Sequence, residues 1–310
     1  MNIIFMGTPN FAVPSLERLY NEGHNIELII TQPDKPKGRG KKLLPTPVKS
    51  KGLELSLEVY QPDNVNNEES VDRIKKINPD VIVVIAYGQV LKEDILDIPK
   101  YGCINIHASL LPKYRGAAPI NWTIINGEKE SGITTMLMEK GLDSGDMLLK
   151  EKILIDKFMT AEELHDKLMI MGASLIVDTL EKLENNTIIP KKQNHDISSY
   201  APMIDKTLGK INWNSSKEKI MNLVRGTNPW PCAYSYYDKK KFKIYKVNIS
   251  NEIHSGVNGE IVKVNDEGIF VKVDNGTIII EEIQFPGKKK MQVAEYIKGN
   301  IIETGKKLSN

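Results

Sequence analysis

Three polar side chains in this sequence have the types and spacing for acyl-transfer chemistry: Asn105, His107 and Asp143. Asn105 and His107 lie two apart in a run that begins as a strand and breaks into a loop at Pro112. Side chains alternate along a strand, so both point to one side and Ile106 to the other. An amide and an imidazole aimed together can steady the anionic oxygen formed when an amine attacks a carbonyl carbon. A strand-end histidine and an asparagine bonded to a nearby loop would have the same spacing, because buried polar groups are normally paired for structural reasons. Asp143 sits in Gly141-Leu142-Asp143-Ser144-Gly145-Asp146, just after strand-like residues. A carboxylate there could orient His107 or exchange protons through water. A plain turn would also use Asp and Gly, which dominate turns for backbone reasons.

Such residues need a scaffold, and the first 155 residues supply a pattern for one. Short apolar runs at 3–6, 26–31, 81–86 and 104–106 read as buried strands, and segments near 12–22, 66–78 and 117–126 read as helices. That alternation implies βαβ units and a parallel sheet, whose ligands bind at the carboxyl ends of strands. Thr160-Ala161-Glu162-Glu163 has the form of a capping box, and an apolar stripe from Leu164 to Leu183 continues a helix to about Asn185. The aperiodic stretch that follows, with Pro190 and Pro202, reads as a linker. Beyond a helix near 216–225, five strand-like runs at 233–237, 241–249, 258–264, 268–273 and 277–283 are separated by turn residues. They suggest a small barrel of the OB type.

The expected architecture is therefore α/β: a Rossmann-like, mostly parallel sheet in an N-terminal domain over 1–189, a linker over 190–208, and an OB-like β-barrel domain over 209–310. Two domains also suit the 310-residue length.

Composition narrows the class. The N-terminal residues read as a strand entering a turn and not as a signal peptide, and the longest apolar run is far too short to span a bilayer. Only Cys103 and Cys232 are present, which fits a reducing cytoplasm better than a disulfide framework. The five histidines show no metal-ligand spacing, so no metal is expected. A cytoplasmic monomer without membrane attachment is the expectation. Residues 206–310 carry 18 basic and 11 acidic side chains, a surplus that suggests a polyanionic partner. A second basic feature is the stretch 35–51, which contains Lys35, Lys37, Arg39, Lys41, Lys42, Lys49 and Lys51 with no acid. It cannot bury a core and should be mobile when free. It follows the second strand and so emerges on the catalytic edge of the sheet, where lysine and arginine could contact phosphates.

Asn105, His107 and Asp143, with Ser109-Leu110-Leu111-Pro112 between them, resemble the folate-dependent formyltransferase family. The resemblance extends through Phe5-Met6-Gly7-Thr8-Pro9, Gln32-Pro33-Asp34-Lys35-Pro36, Gly38-Arg39-Gly40-Lys41-Lys42, Ala86-Tyr87-Gly88-Gln89, Arg115-Gly116-Ala117-Ala118-Pro119-Ile120, Ala201-Pro202-Met203 and Asn228-Pro229-Trp230-Pro231. It implies 10-formyltetrahydrofolate as donor and the amine of methionine charged on initiator tRNA as acceptor. It implies that Asn105 and His107 hold the oxyanion while Asp143 maintains His107 and assists proton movement to the departing nitrogen. It also implies folate contacts from Tyr87, Gly88, Ser109, Leu110, Leu111 and Pro112, and tRNA contacts from Arg39, Lys41, Lys42 and the second domain. The sequence departs from the family pattern at Asn10 and Asn212, where aspartate is common, at Cys232, where glycine is common, and at Ser144, where threonine is common. None belongs to the trio.

Two other readings use the same residues. A formyltransferase or hydrolase acting on a small substrate would carry the same trio but needs neither basic region. An RNA-binding protein without catalysis would leave Asn105, His107 and Asp143 unexplained. Gly7-Thr8-Pro9 lacks the later glycines of a dinucleotide loop.

Overall fold

The computed structural model describes residues 1–37 and 42–309, with Lys37 as backbone only. The described residues form two compact units. The first comprises Met1–Gly116, Ser131–Ile153 and His165–Ala201.

Its chain begins with β1 (Asn2–Gly7), α1 (Val13–Asn21), β2 (Asn25–Ile30), β3 (Lys35–Lys37), β4 (Lys42–Leu44), α2 (Pro47–Glu54) and β5 (Val59–Tyr60). It continues with α3 (Glu68–Ile77), β6 (Val81–Ile85), α4 (Glu93–Leu96) and β7 (Cys103–His107). After α5 (Pro119–Ile125), which belongs to the second unit, come β8 (Glu130–Leu137), β9 (Met147–Leu154) and the long α6 (Ala161–Glu184). The sheet order is β5-β2-β1-β6-β7-β8-β9. The first five strands pair in parallel, and β8 runs antiparallel to β7.

The strands read from apolar runs are present, and the reason is visible in β6, where all five residues of Val-Ile-Val-Val-Ile are buried. A central parallel strand has no solvent face, so its sequence is continuously apolar. β1 pairs with β2 on one side and β6 on the other. The winding reverses there, which makes the carboxyl ends of β1 and β6 a topological switch point. The Thr160 box forms: the Glu163 N–H donates to the Thr160 hydroxyl at 3.2 Å, and the Thr160 N–H donates to the Glu163 carboxylate at 2.8 Å.

Two expectations differ from the structure. In the basic stretch, Lys35–Lys37 and Lys42–Leu44 pair as the antiparallel strands β3 and β4, and Pro47–Glu54 forms α2 with a buried residue of its own. The sequence reading overlooked Thr46, whose hydroxyl accepts the Lys49 N–H at 3.1 Å as an N-cap, and Val48, which is fully buried. Arg39 and Lys41 lie outside the described residues. The second difference concerns 190–208. Its residues through Ala201 belong to the first unit, tied to it by backbone hydrogen bonds such as the mutual pair between Lys191 and Met147. Those bonds leave no periodic side-chain pattern to read.

The second unit comprises Ala117–Glu130, Leu154–Leu164 and Pro202–Asn310. Here α7 (Lys217–Gly226) precedes β10 (Ala233–Tyr237), β11 (Lys240–Ile249), β12 (Ile261–Asn265), β13 (Gly268–Val273), β14 (Gly276–Gln284), β15 (Met291–Gln292) and α8 (Val293–Tyr296). The antiparallel order is β10-β11-β14-β13-β12, with β15 on β14. The chain end meets both outer strands or their flanks, through bridges Tyr236–Ser309 and Glu260–Lys307. That contact covers the edges, as an OB-like barrel must. One face of α7 contributes Ile220, Met221 and Val224 to a core with Phe242, Ile244, Val271 and Ile280. Among the described residues, no helix is long and apolar enough to cross a membrane.

Candidate active site

Asn105 and His107 are delivered by β7, held in register by Val84 of β6 opposite Asn105 and by Thr134 of β8 opposite His107. Asp143 arrives from the turn that joins β8 to β9. The three side chains meet. Asn105 Nδ2 donates to Asp143 Oδ1 at 3.4 Å, and His107 Nδ1 lies 3.6 Å from Asp143 Oδ2. The imidazole is 6% exposed and the carboxylate 12%, so their interaction is little screened by water.

Backbone groups complete the arrangement. Asp143 Oδ2 accepts the Gly116 N–H at 2.8 Å, and His107 Nε2 lies 2.8 Å from the Tyr114 carbonyl oxygen. A carbonyl only accepts, so the ring donates from Nε2. Nδ1 faces the carboxylate. Gly116 must be glycine: its φ is +105, and an added Cβ would lie 2.5 Å from the Tyr200 ring and 2.9 Å from the Ala201 carbonyl.

The loop after β7 is stitched to the sheet. The Thr134 hydroxyl, fully buried, accepts the Leu111 N–H at 3.2 Å and donates to the Ser109 carbonyl at 2.7 Å. The Ser109 hydroxyl donates to the Lys113 carbonyl at 2.7 Å, and Lys150 Nζ donates to the Leu111 carbonyl. Burial and the neighbouring Lys191 and Lys152 hold the Lys150 ammonium below its ordinary value. Ser109 and Leu111 are buried, whereas Leu110 and Pro112 are partly exposed.

Tyr87 and Gly88 follow β6 at the same sheet edge. The Tyr87 side chain is 2% exposed and packs in the core with Met6, Ile30 and Val84. Burial raises its phenol well above the ordinary value. Its carbonyl accepts the Thr8 hydroxyl at 2.7 Å. Gly88 is exposed, with φ +97, and a Cβ added there would meet the Gln32 side chain first, at 3.7 Å. Gln32 Nε2 and Tyr87 Oη are buried without a hydrogen-bond partner. Lys42 is exposed on the β3–β4 hairpin.

Sequence reasoning did not single out the Tyr114 carbonyl, the Gly116 amide, Thr134 or Gln193. The first two act through backbone atoms, which side-chain patterns do not report. Thr134 lies within a strand-like run, but its stitching role needs the loop. Among the described residues, no group of three His, Cys, Asp or Glu side chains could hold a metal ion.

The chain matches two family models, "Formyl transferase" over residues 1–180 and "Formyl transferase, C-terminal domain" over residues 203–300. It is 54% identical over 304 residues to the methionyl-tRNA formyltransferase of Clostridium novyi (strain NT), covering 98% of each chain. It is 52% identical over 305 residues to the methionyl-tRNA formyltransferase of Clostridioides difficile (strain 630), covering 98% of this chain and 99% of the relative. Among solved structures it shares its fold with an N-formyltransferase from Helicobacter canadensis, with a TM-score of 0.68 and 23% identity over 90% of this chain and 98% of that one. The site geometry and the match along both parts of the sequence lead to one conclusion: the chain belongs to the formyl transferase family.

Proposed function

We propose that this protein transfers the formyl group of 10-formyltetrahydrofolate to the α-amine of methionine on charged initiator tRNA. The observation that carries this reading is the convergence of Asn105, His107 and Asp143 within one small polar site. The chain's likeness to methionyl-tRNA formyltransferases over 98% of its length supports the choice of acceptor.

In this mechanism the methionine amine attacks the formyl carbon and its carbonyl oxygen becomes an anion. The second N–H of the Asn105 amide, not used by Asp143, and the positive charge of a protonated His107 ring stabilise that oxygen. Such donors act where charge develops and typically contribute about 10²–10³-fold in turnover. Asp143 holds His107 and receives the proton lost by the attacking amine, through water. The same proton then reaches the folate nitrogen as the carbon–nitrogen bond breaks, because that nitrogen is a poor anionic leaving group.

For the folate, we assign the exposed face of Gly88 and the loop Ser109 to Pro112. Gly88 offers close backbone approach, and the Thr134 bonds keep the loop pre-shaped. Gln32 Nε2, buried without a partner beside Gly88, fits a polar ring system. The Tyr87 contribution comes from its backbone, since its side chain lies in the core. For the tRNA we assign Arg39, Lys41 and Lys42 with the basic second domain. A small amine acceptor would call for neither basic region. A cytoplasmic monomer is part of the same proposal.

The test is incubation with 10-formyltetrahydrofolate and methionyl initiator tRNA, beside uncharged tRNA and free methionine. Formylation confined to the charged tRNA is expected. Equal formylation of free methionine, or none of the charged tRNA, would contradict the reading.

A further inference from the structure

The segment from Lys191 to Ala201 crosses two loops that carry the polar site. On one side, Met147 and Lys191 exchange two backbone hydrogen bonds of 2.9 Å. On the other, the Arg115 N–H donates to the Ser199 carbonyl at 2.9 Å, and the Ala201 N–H donates to the Arg115 carbonyl at 2.6 Å. The Tyr114 N–H donates to the Ser199 hydroxyl at 2.9 Å.

Gln193 lies between these attachments and is 5% exposed. Its Nε2 donates to the carbonyls of Asp143 and Gly145, both at 2.8 Å. Its Oε1 accepts from Arg115 Nε at 3.0 Å and Nη2 at 2.7 Å. A primary amide has two N–H groups and two acceptor lone pairs, and here all four are used. One side chain thus joins the Arg115–Gly116 loop to the Asp143–Gly145 turn.

The turn needs such a restraint. Asp143 has φ +48, a left-handed backbone state that a residue with a Cβ adopts only when its surroundings impose it. The group that captures the Asp143 carbonyl is Gln193. The opposite end of the same residue presents Oδ2 to the Gly116 N–H and to His107. Arg115, held by Gln193, immediately precedes Gly116.

We propose that Gln193 is a positioning residue for the reaction: it fixes the backbone of Asp143 and the Arg115–Gly116 peptide so that the carboxylate meets His107. This rests on the reading of Asp143 as the functional partner of His107. A glutamine that merely stabilised the fold would affect every activity of the protein alike, with or without the Asp143 carboxylate.

A double-mutant cycle separates these roles. Rates are measured for Gln193→Leu, Asp143→Asn and the double variant by single-turnover formylation of methionyl initiator tRNA, with enzyme in excess to resolve slow reactions. Gln193→Leu is expected to lower the rate about 30-fold in the otherwise native enzyme and less than about 3-fold beside Asp143→Asn, because coupled residues lose their effect together. Gln193→Glu, nearly isosteric, keeps acceptors for Arg115 but loses both N–H groups facing the carbonyls. It is carried through the same cycle and should behave as Gln193→Leu, which preserves the test if leucine prevents folding. Equal fold-losses in both Asp143 backgrounds would overturn the proposal, as would unchanged turnover in Gln193→Glu. Native turnover in Asp143→Asn alone would instead overturn the role of Asp143 itself.

Discussion

Oδ2 of Asp143 lies 3.6 Å from Nδ1 of His107 and accepts the Gly116 N–H at 2.8 Å. The carboxylate that faces the imidazole is therefore aimed by the main chain of a neighbouring loop. Its position depends on the shape of the β8–β9 turn, and Gly145 sets that shape. A Cβ at Gly145 would lie 1.8 Å from the Leu137 carbonyl oxygen, a backbone atom that cannot swing aside.

Gly145→Ala should consequently displace the Asp143 turn. Forced overpacking typically costs about 1–3 kcal/mol, and misplacing a catalytic group by about 1 Å can cost 10²-fold in rate. The expected outcome is a lower thermal midpoint together with a turnover loss near 10²-fold. Calorimetry and steady-state formylation check both, and an alanine variant with native turnover would mean the turn does not need this backbone path.

The two cysteines give a pH-dependent prediction. Burial pushes the Cys103 thiol up to about 12 and the Cys232 thiol up to about 11. Only the thiolate reacts, so the native protein at pH 8 should resist a thiol-reactive disulfide reagent, while the denatured chain reacts at both positions. The stability consequence has a definite sign. Unfolded thiols ionise from about pH 8.5 while the folded ones stay protonated. Their contribution is fully present below that pH and is lost as pH rises towards 11 and 12. Rapid labelling of a native thiol at pH 8 would contradict this.

The basic stretch 35–51 contains cations in ion pairs as well as exposed ones. Lys49 pairs with Asp34 at 2.7 Å, and Lys51 pairs with Glu17 at 2.7 Å and Glu54 at 2.8 Å. Lys42 is exposed, and the proposal assigns it to the tRNA together with Arg39 and Lys41. Lys42→Ala or Arg39→Ala should weaken tRNA binding and reduce the log–log salt slope by about 1 for each phosphate no longer neutralised. Lys49→Ala should leave that slope unchanged. Filter binding across a salt series distinguishes these outcomes. An Arg39→Ala defect of equal size with a small free amine would remove the loop from tRNA recognition.

Much of the scaffold was legible because burial writes itself into side-chain pattern. The all-apolar run of β6, the capping box at Thr160 and the turn residues between β10 and β14 each have a local cause, and each element formed near its expected bounds. Asn105 and His107 were legible through the alternation of a strand. The partnership with Asp143 came from the family resemblance and not from spacing, since Asp143 lies 36 positions after His107 and no local rule joins them. In the basic stretch, charge hid the Thr46 cap and the buried Val48. Gln193 was invisible for a related reason: its partners are mostly carbonyl oxygens and a guanidinium brought near by tertiary folding.

The central measurement is single-turnover formylation by Asp143→Asn and His107→Ala, compared with the affinity of each variant for methionyl initiator tRNA. Both rates should fall by about 10³-fold or more while affinity changes little, because the proposed mechanism has these side chains act on the transition state and not on the bound tRNA. Native rates in either variant, or a loss explained wholly by weaker tRNA binding, would contradict the account.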